Sequence, residues 1–161
     1  MNKVTLLIGG NEGDRELLID RATGLIRERV GSVVALSGVY ETEPWGDFEV
    51  ECGKGRVERF LNRGMMVETT LSPWQVLRTA LDIEKDLGRV RSRLSSGLYR
   101  SRPMDVDLIF YDDFVVDTPE LTLPHPRMHL RRFVLEPLNE IMPGYRHPLL
   151  GKTVNELLSE L

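Results

Sequence analysis

Asp105 and Asp107 stand two residues apart in the run Met104-Asp105-Val106-Asp107-Leu108-Ile109-Phe110-Tyr111. Strand periodicity turns Met104, Val106, Leu108 and Phe110 one way and both carboxylates the other. The two acids are then about 7 Å apart along the strand, and like charges so placed repel unless a cation lies between them. Mg2+ takes oxygen ligands, completes its shell with substrate phosphates, and in pairs can clamp a phosphoryl group. On spacing alone, a solvated strand face is the better reading of the pair, and the sequence around it shifts the balance. The flanking sequence is cationic. From Arg89 to Arg102 there are five arginines (Arg89, Arg91, Arg93, Arg100, Arg102) and no acid. From Pro103 to Glu120 there are six acids and no base, and from Leu121 to Leu135 three arginines and no acid. Phosphoryl transfer is catalysed chiefly by positioning and charge neutralisation, so a cationic loop closing over a triphosphate is one reading of Arg89–Arg102. A polar surface loop, or a contact with a partner, is the other.

The total charge says less than this arrangement. The chain of 161 residues carries a net charge of −4, against a general nucleic-acid binder. Its basic residues are 17 Arg and 4 Lys, and the planar guanidinium fork suits phosphate and carboxylate, although genome composition alone could favour Arg. A single cysteine, Cys52, excludes an intramolecular disulfide and a cysteine-built zinc cluster. No run approaches the length of a membrane span, and the apolar N-terminus is too short for a signal peptide, so a cytoplasmic protein is expected. His125 and His129 have i,i+4 spacing, but Pro124 and Pro126 bracket His125 and argue against one helix carrying a zinc pair. Gly9-Gly10-Asn11-Glu12-Gly13-Asp14 matches neither a dinucleotide fingerprint nor a Walker A loop and reads as a structural turn. Trp45 and Phe60 could stack on a flat ring or simply pack. His147, Cys52 and Trp74 read as structural.

The elements that would hold these groups follow from periodicity. Val4–Ile8 reads as a strand, and Asp14 caps a helix from Arg15 to about Arg29. Val33–Tyr40 and Phe60–Glu68 read as strands separated by a long connection. Ser72-Pro73 opens a helix that runs to Gly88, with stripes Trp74, Leu77, Leu81, Glu84 and Val76, Ala80, Ile83, Leu87. Met104–Tyr111 is a strand, and Asp112-Asp113 suggests a hairpin turn to Phe114–Val116. Helices close the chain near Arg131–Ile141 and Val154–Leu161. The order βαββαβ predicts an α+β, ferredoxin-like fold with a mostly antiparallel sheet, in one domain spanning residues 1–161.

Taken in order, several segments resemble the 6-hydroxymethyl-7,8-dihydropterin pyrophosphokinase family. They are Gly9–Arg15, Val39–Gly46, Phe60-Leu61-Asn62, Ile83–Arg91, Arg102–Ile109, Leu121–Arg127 and Arg131–Leu138. The resemblance runs from about Leu7 to Leu158, and the combination is specific where no single piece is. It implies a three-layer α-β-α fold on the ferredoxin-like core, with extra strands and helices. It implies transfer of pyrophosphate from ATP, as co-substrate, to the hydroxymethyl group of the reduced pterin, giving the pterin diphosphate and AMP in tetrahydrofolate biosynthesis. It implies two Mg2+ ions on Asp105 and Asp107. Thr42, Pro44, Trp45, Asn62, Tyr99 and Phe133 would surround the pterin. Glu84, Arg89, Arg91, Arg102, Thr122, His125 and Arg131 would serve ATP, with Arg89 and Arg102 joining the two acids in catalysis. The chain departs from the family pattern at Gly10, where serine is usual, at Glu120 and Pro126, and in a longer stretch between Gly46 and Phe60.

Two other classes compete. A ferredoxin-like RNA-binding or regulatory module would show aromatics on its central strands, whereas the polar face of 104–111 carries two acids that repel a nucleic-acid backbone. A non-catalytic nucleotide or pterin binder would keep the site and lose turnover. The leading reading expects small-molecule substrates, no nucleic acid, no membrane, and a monomer or weak homodimer.

Overall fold

The computed structural model describes residues 1–11, 13–42, 60–94 (side chains only to 88) and 104–161. Four strands form the body of an antiparallel sheet: β1 (Asn2–Gly10), β2 (Ser32–Leu36), β4 (Phe60–Thr69) and β5 (Asp105–Tyr111). Their spatial order is β2-β4-β1-β5, and the short β3 (Tyr40–Thr42) also pairs with β4. Helix α1 (Arg15–Arg29) connects β1 to β2, and α2 (Pro73–Leu94) connects β4 to β5. This is the split βαβ arrangement that the order of elements predicts.

Both connecting helices cover one face. Leu18, Ile19, Ala22 and Ile26 of α1 and Val76, Ala80, Ile83 and Leu87 of α2 bury against Leu6, Ile8, Met65, Val67, Val106 and Leu108. Arg29 and Asp86, 2.7 Å apart, join the two helices at their surface. The opposite face carries α3 (Arg132–Ile141) and α4 (Val154–Ser159), whose Val134, Leu135, Leu138, Val154 and Leu157 pack on Leu7, Ile109 and Phe110. The result is three layers. The helix starts are fixed locally. Asp14 accepts the Leu17 N–H at 3.2 Å, as its position before α1 predicts. Ser72 and Gln75 exchange reciprocal bonds of 2.8 and 3.2 Å at α2, and Thr153 and Glu156 do the same at α4. Among the described residues no helix is long and apolar enough to cross a membrane.

Several expectations are corrected. The helix expected to stop at Gly88 continues to Leu94, so Arg89, Arg91 and Arg93 lie on helical backbone rather than in a loop. A side chain at Gly88 would meet nothing within 4 Å, so this glycine costs only its intrinsic propensity, about 1 kcal/mol, while Leu87, Val90 and Leu94 keep helical spacing. The strand expected over 33–40 is broken after Leu36, where Ser37 turns inward and accepts the Gly64 N–H at 2.9 Å. Asp112-Asp113 does make a turn, with Asp112 at φ 48°, but β6 (Val116–Asp117) pairs with β7 (Thr122–Leu123) instead of folding back on β5. Gly9 and Gly10 belong to β1 rather than to a turn, because the ladder with β4 continues to the pair Gly10–Leu61.

A bulge corrects the strict alternation of β5. Leu6 pairs with Leu108, yet Thr5 pairs with Phe110. The extra residue rotates Phe110 away from Val106 and Leu108, and it buries with Ile109 under α3 and α4.

Glycines separate into those that packing requires and those it does not. At Gly64 a side chain would lie 2.9 Å from Leu138 Cδ2, so α3 packs close over a glycine and a larger residue there would have to shift Leu138. Gly24, inside α1, has nothing within 4 Å. Gly24→Ala is therefore expected to stabilise the fold by about 0.5–1 kcal/mol, read as a rise in the urea midpoint at unchanged slope. A fall in the midpoint would contradict the open surroundings.

Candidate active site

Register places the polar residues of the sheet. Tyr40 on β3 pairs with Asn62 on β4, Asn62 with Gly9 on β1, and Gly9 with Asp105 on β5. Directly opposed residues of antiparallel strands share a face, so Asn62 and Asp105 look the same way, two strand spacings or about 10 Å apart. Asp107 lies opposite Leu7, which faces Gly64, and so shares that face too. It is the face that carries α3. The sheet thus presents an amide and two half-buried carboxylates in front of one helix.

Asn62 is 3% exposed, and its Nδ2 donates to Thr42 Oγ1 at 3.2 Å. Phe133, in the first turn of α3, is partly buried against the second core, with the Arg131 guanidinium 5.7 Å from its ring centre. Glu140, at the far end of α3, accepts from Tyr40 Oη at 2.8 Å and from the Gly38 N–H at 3.1 Å, holding β3 to the helix. That bond, together with burial and the Glu140 charge, raises the Tyr40 pKa above its ordinary value.

Beside β5 an open groove of about 310 Å3 is lined by Glu84, Asp107, Glu120, Thr122 and His125 among apolar neighbours. Its apolar wall includes Leu77 and Leu81 of α2 and Leu121 beside β7. Leu81 is 46% exposed, so the stripe Leu77, Leu81, Glu84 lines the groove while Val76, Ala80, Ile83 and Leu87 fill the core. Glu84 is 6% exposed and its Oε2 accepts the Val106 N–H at 2.8 Å. It thereby fixes the edge strand at the residue between the two aspartates.

His125 is half-buried, its N–H bound to the Ile109 carbonyl at 3.0 Å and its Nδ1 accepting the Arg127 N–H at 3.3 Å. Burial lowers its pKa, and the charges of Arg131 and Arg127 lower it further. The ring is neutral at pH 7, and with Nδ1 accepting, its proton sits on Nε2 as a donor. His129 instead lies beside His147, ring centres 6.4 Å apart. His147 is buried, and its Nδ1 accepts the Leu149 and Leu150 N–H groups at 3.1 and 3.0 Å, in keeping with a structural role. Burial, then the neighbouring His129, lowers its pKa. His125 and His147 thus resist protonation in the folded state, so the unfolded chain takes up protons first as pH falls. Stability is expected to hold above the ordinary imidazole value of 6.5 and to decline as pH drops through and below it. The urea midpoint should fall between about pH 7.5 and 5.5, and fall less in His147→Gln. A midpoint flat across that window, or one falling equally in the variant, would contradict this linkage.

The structure therefore brings Thr42 to Asn62, Phe133 to Arg131, and Glu84, Asp107, Thr122 and His125 to one groove. Pro44, Trp45, Tyr99 and Arg102 lie outside the described residues, as do Cys52 and the side chains of Arg89 and Arg91. Trp74 is 42% exposed and meets Phe114 edge-on at 6.2 Å, away from these groups. Sequence reasoning missed Gly9 and the Leu77/Leu81 wall. The second was signalled by a stripe of α2 that leads to a buried acid. Among the described residues no group of three or more His, Cys, Asp or Glu gathers as a cation cage. Two carboxylates of one strand face fit a hard divalent ion that completes its shell from phosphates and water.

Comparison with known proteins bears on this arrangement. The family model described as 7,8-dihydro-6-hydroxymethylpterin-pyrophosphokinase (HPPK) matches residues 5–143. A 2-amino-4-hydroxy-6-hydroxymethyldihydropteridine pyrophosphokinase of Porphyromonas gingivalis is 39% identical over 90% of this chain and 93% of its own. Its namesake in Methylorubrum extorquens is 36% identical over 100% of this chain and 94% of its own. Among solved structures, wild-type HPPK-DHPS of Plasmodium falciparum superposes with a TM-score of 0.76 at 17% identity, covering 99% of this chain and 44% of that one.

Proposed function

The chain belongs to the 7,8-dihydro-6-hydroxymethylpterin-pyrophosphokinase family, and from that premise we propose that it passes the terminal pyrophosphoryl group of ATP to 6-hydroxymethyl-7,8-dihydropterin in tetrahydrofolate biosynthesis. The hydroxymethyl oxygen bonds to the β-phosphorus. The bond from that phosphorus to the oxygen bridging the α-phosphate breaks, AMP leaves with that oxygen, and the hydroxyl proton passes to solvent. The observation that carries the reading is the register row: Asn62 and Asp105 share one sheet face, two strands apart across Gly9. An amide that can read a pterin edge and an acid that can hold a phosphate-bound cation are thus a short molecule's length apart.

The pterin is read by Asn62, whose plane the Thr42 bond fixes. Its carbonyl and second N–H suit an edge that both donates and accepts. Phe133 supplies one flat wall, and the family resemblance assigns Pro44, Trp45 and Tyr99 to the same ligand. Asp105 and Asp107 would hold two Mg2+, which would neutralise charge on the phosphates. His125 offers a neutral Nε2–H donor, and Thr122 a hydroxyl, in the groove where ATP lies. Glu84 lines that groove, and Arg131, whose charge acts on His125, serves the same ATP. Arg89, Arg91 and Arg102 bring guanidiniums to the triphosphate, whose oxygens they can take two at a time. The enzyme works in the cytoplasm as a monomer or weak homodimer.

The reaction is tested by incubating the protein with ATP and Mg2+, with and without the pterin, and following AMP against ADP. AMP that appears only with pterin is expected. Absence of pterin-dependent AMP would sink the reading and leave a binding or regulatory module.

A further inference from the structure

We propose that Gly9 is a positioning residue for pterin recognition, because its missing side chain leaves the space in which the Asn62 carboxamide lies. The inference rests on the reading that Asn62 meets the pterin.

Gly9 sits in β1 with Asn62 opposite on one side and Asp105 on the other. A Cβ built on Gly9 would stand 2.3 Å from Asn62 Oδ1 and 3.2 Å from its Cγ. Oxygen and carbon do not approach so closely, so any residue larger than glycine displaces the amide. Backbone conformation does not explain the glycine. Among the described glycines, positive φ occurs at Gly13 and Gly151, and Gly9 runs as ordinary strand. In a strand interior, glycine weakens the ladder and forgoes packing, so its presence there marks a close approach. The other crowded glycines make room for structure. A Cβ on Gly31 would meet the Glu68 carbonyl oxygen at 1.9 Å, and one on Gly64 would meet Leu138 at 2.9 Å. Gly9 alone of these three makes room for a polar side chain in the candidate site.

Asn62 has little freedom to move aside. It is buried, and its Nδ2 is held by Thr42. Rotating the amide off Gly9 breaks that bond or turns the carbonyl away from the position the pterin needs. Recognition by a buried amide is intolerant of such a shift, because a ligand's polar edge is then left unpaired.

The test is a double-mutant cycle between Gly9→Ala and Asn62→Ala. Pterin affinity is measured by calorimetry with a non-hydrolysable ATP analogue and Mg2+ present, and affinity for the analogue is measured separately. Each single variant is expected to weaken pterin binding at least about tenfold, with analogue affinity within about twofold of the parent. The double variant should bind pterin as Asn62→Ala does, since the alanine methyl then has no amide to displace. Unchanged pterin affinity in Gly9→Ala, losses that multiply in the double variant, or an equal loss of analogue affinity would overturn the proposal. Intact pterin affinity in Asn62→Ala would instead overturn the reading on which it rests. If Gly9→Ala does not fold, the melting temperature of the double variant decides. Recovery to that of Asn62→Ala supports a clash with the amide. Failure to recover places the clash at the Leu61 carbonyl, 3.2 Å away, and overturns the proposal.

Discussion

Asp107→Ala is expected to lower kcat by at least about 10^3-fold while leaving the melting temperature within a few degrees of the parent. Asp107 lies on β5 opposite Leu7, on the face that carries α3, and it also lines the groove assigned to ATP. Its carboxylate is half-buried and belongs to neither hydrophobic cluster, so truncation removes charge without opening a core cavity. On the proposed reading, what is lost is the negative charge that would hold a divalent cation against the phosphates, and its effect would be greatest as charge develops at the β-phosphorus. Asp107→Asn keeps the shape and should lose nearly as much, which separates charge from packing. Near-parental turnover in either variant would remove the two-cation assignment.

Arg102→Ala comes second, with an expected loss of about 10^2-fold or more in kcat and a change in pterin affinity within about threefold. Arg89→Ala should behave alike. These two arginines are assigned to the triphosphate by the family resemblance, and in sequence the chain's cationic segments lie on either side of Asp105 and Asp107, while the rest of the protein is acidic. A guanidinium that meets oxygens of the transferring group stabilises the transition state more than the bound substrate, so kcat rather than KM carries the loss. An effect confined to pterin affinity would contradict a role in phosphoryl transfer.

Much of the framework was legible from local chemistry. Asp14 and Ser72 cap the helices whose starts they mark, and the alternation of 104–108 separates Val106 and Leu108 from the two acids as observed. The sequence misled where tertiary structure decides. A bulge at Thr5/Leu6 reverses Phe110, and nothing in the spacing of β5 encodes a change in its partner. Gly88 looked like a helix stop because glycine usually is one, but an open surface makes it merely unhelpful there. β6 and β7 are two residues each, too short for a periodic signal, and exist because Thr118 and Leu121 close the turn between them. Within the site, Asn62 was found by resemblance, and its partner Gly9 was read as a turn. A glycine that makes room for a side chain 53 positions away leaves no trace in its own neighbourhood, and only the register of β1 on β4 exposes it.

The central claim is that two phosphates move together. ATP labelled at either the β- or the γ-phosphorus, incubated with the protein, Mg2+ and 6-hydroxymethyl-7,8-dihydropterin, tests it directly. Both labels should appear in the pterin product in equal amount, with unlabelled AMP as the co-product. Transfer of the γ-label alone, with the β-label retained in ADP, would contradict it.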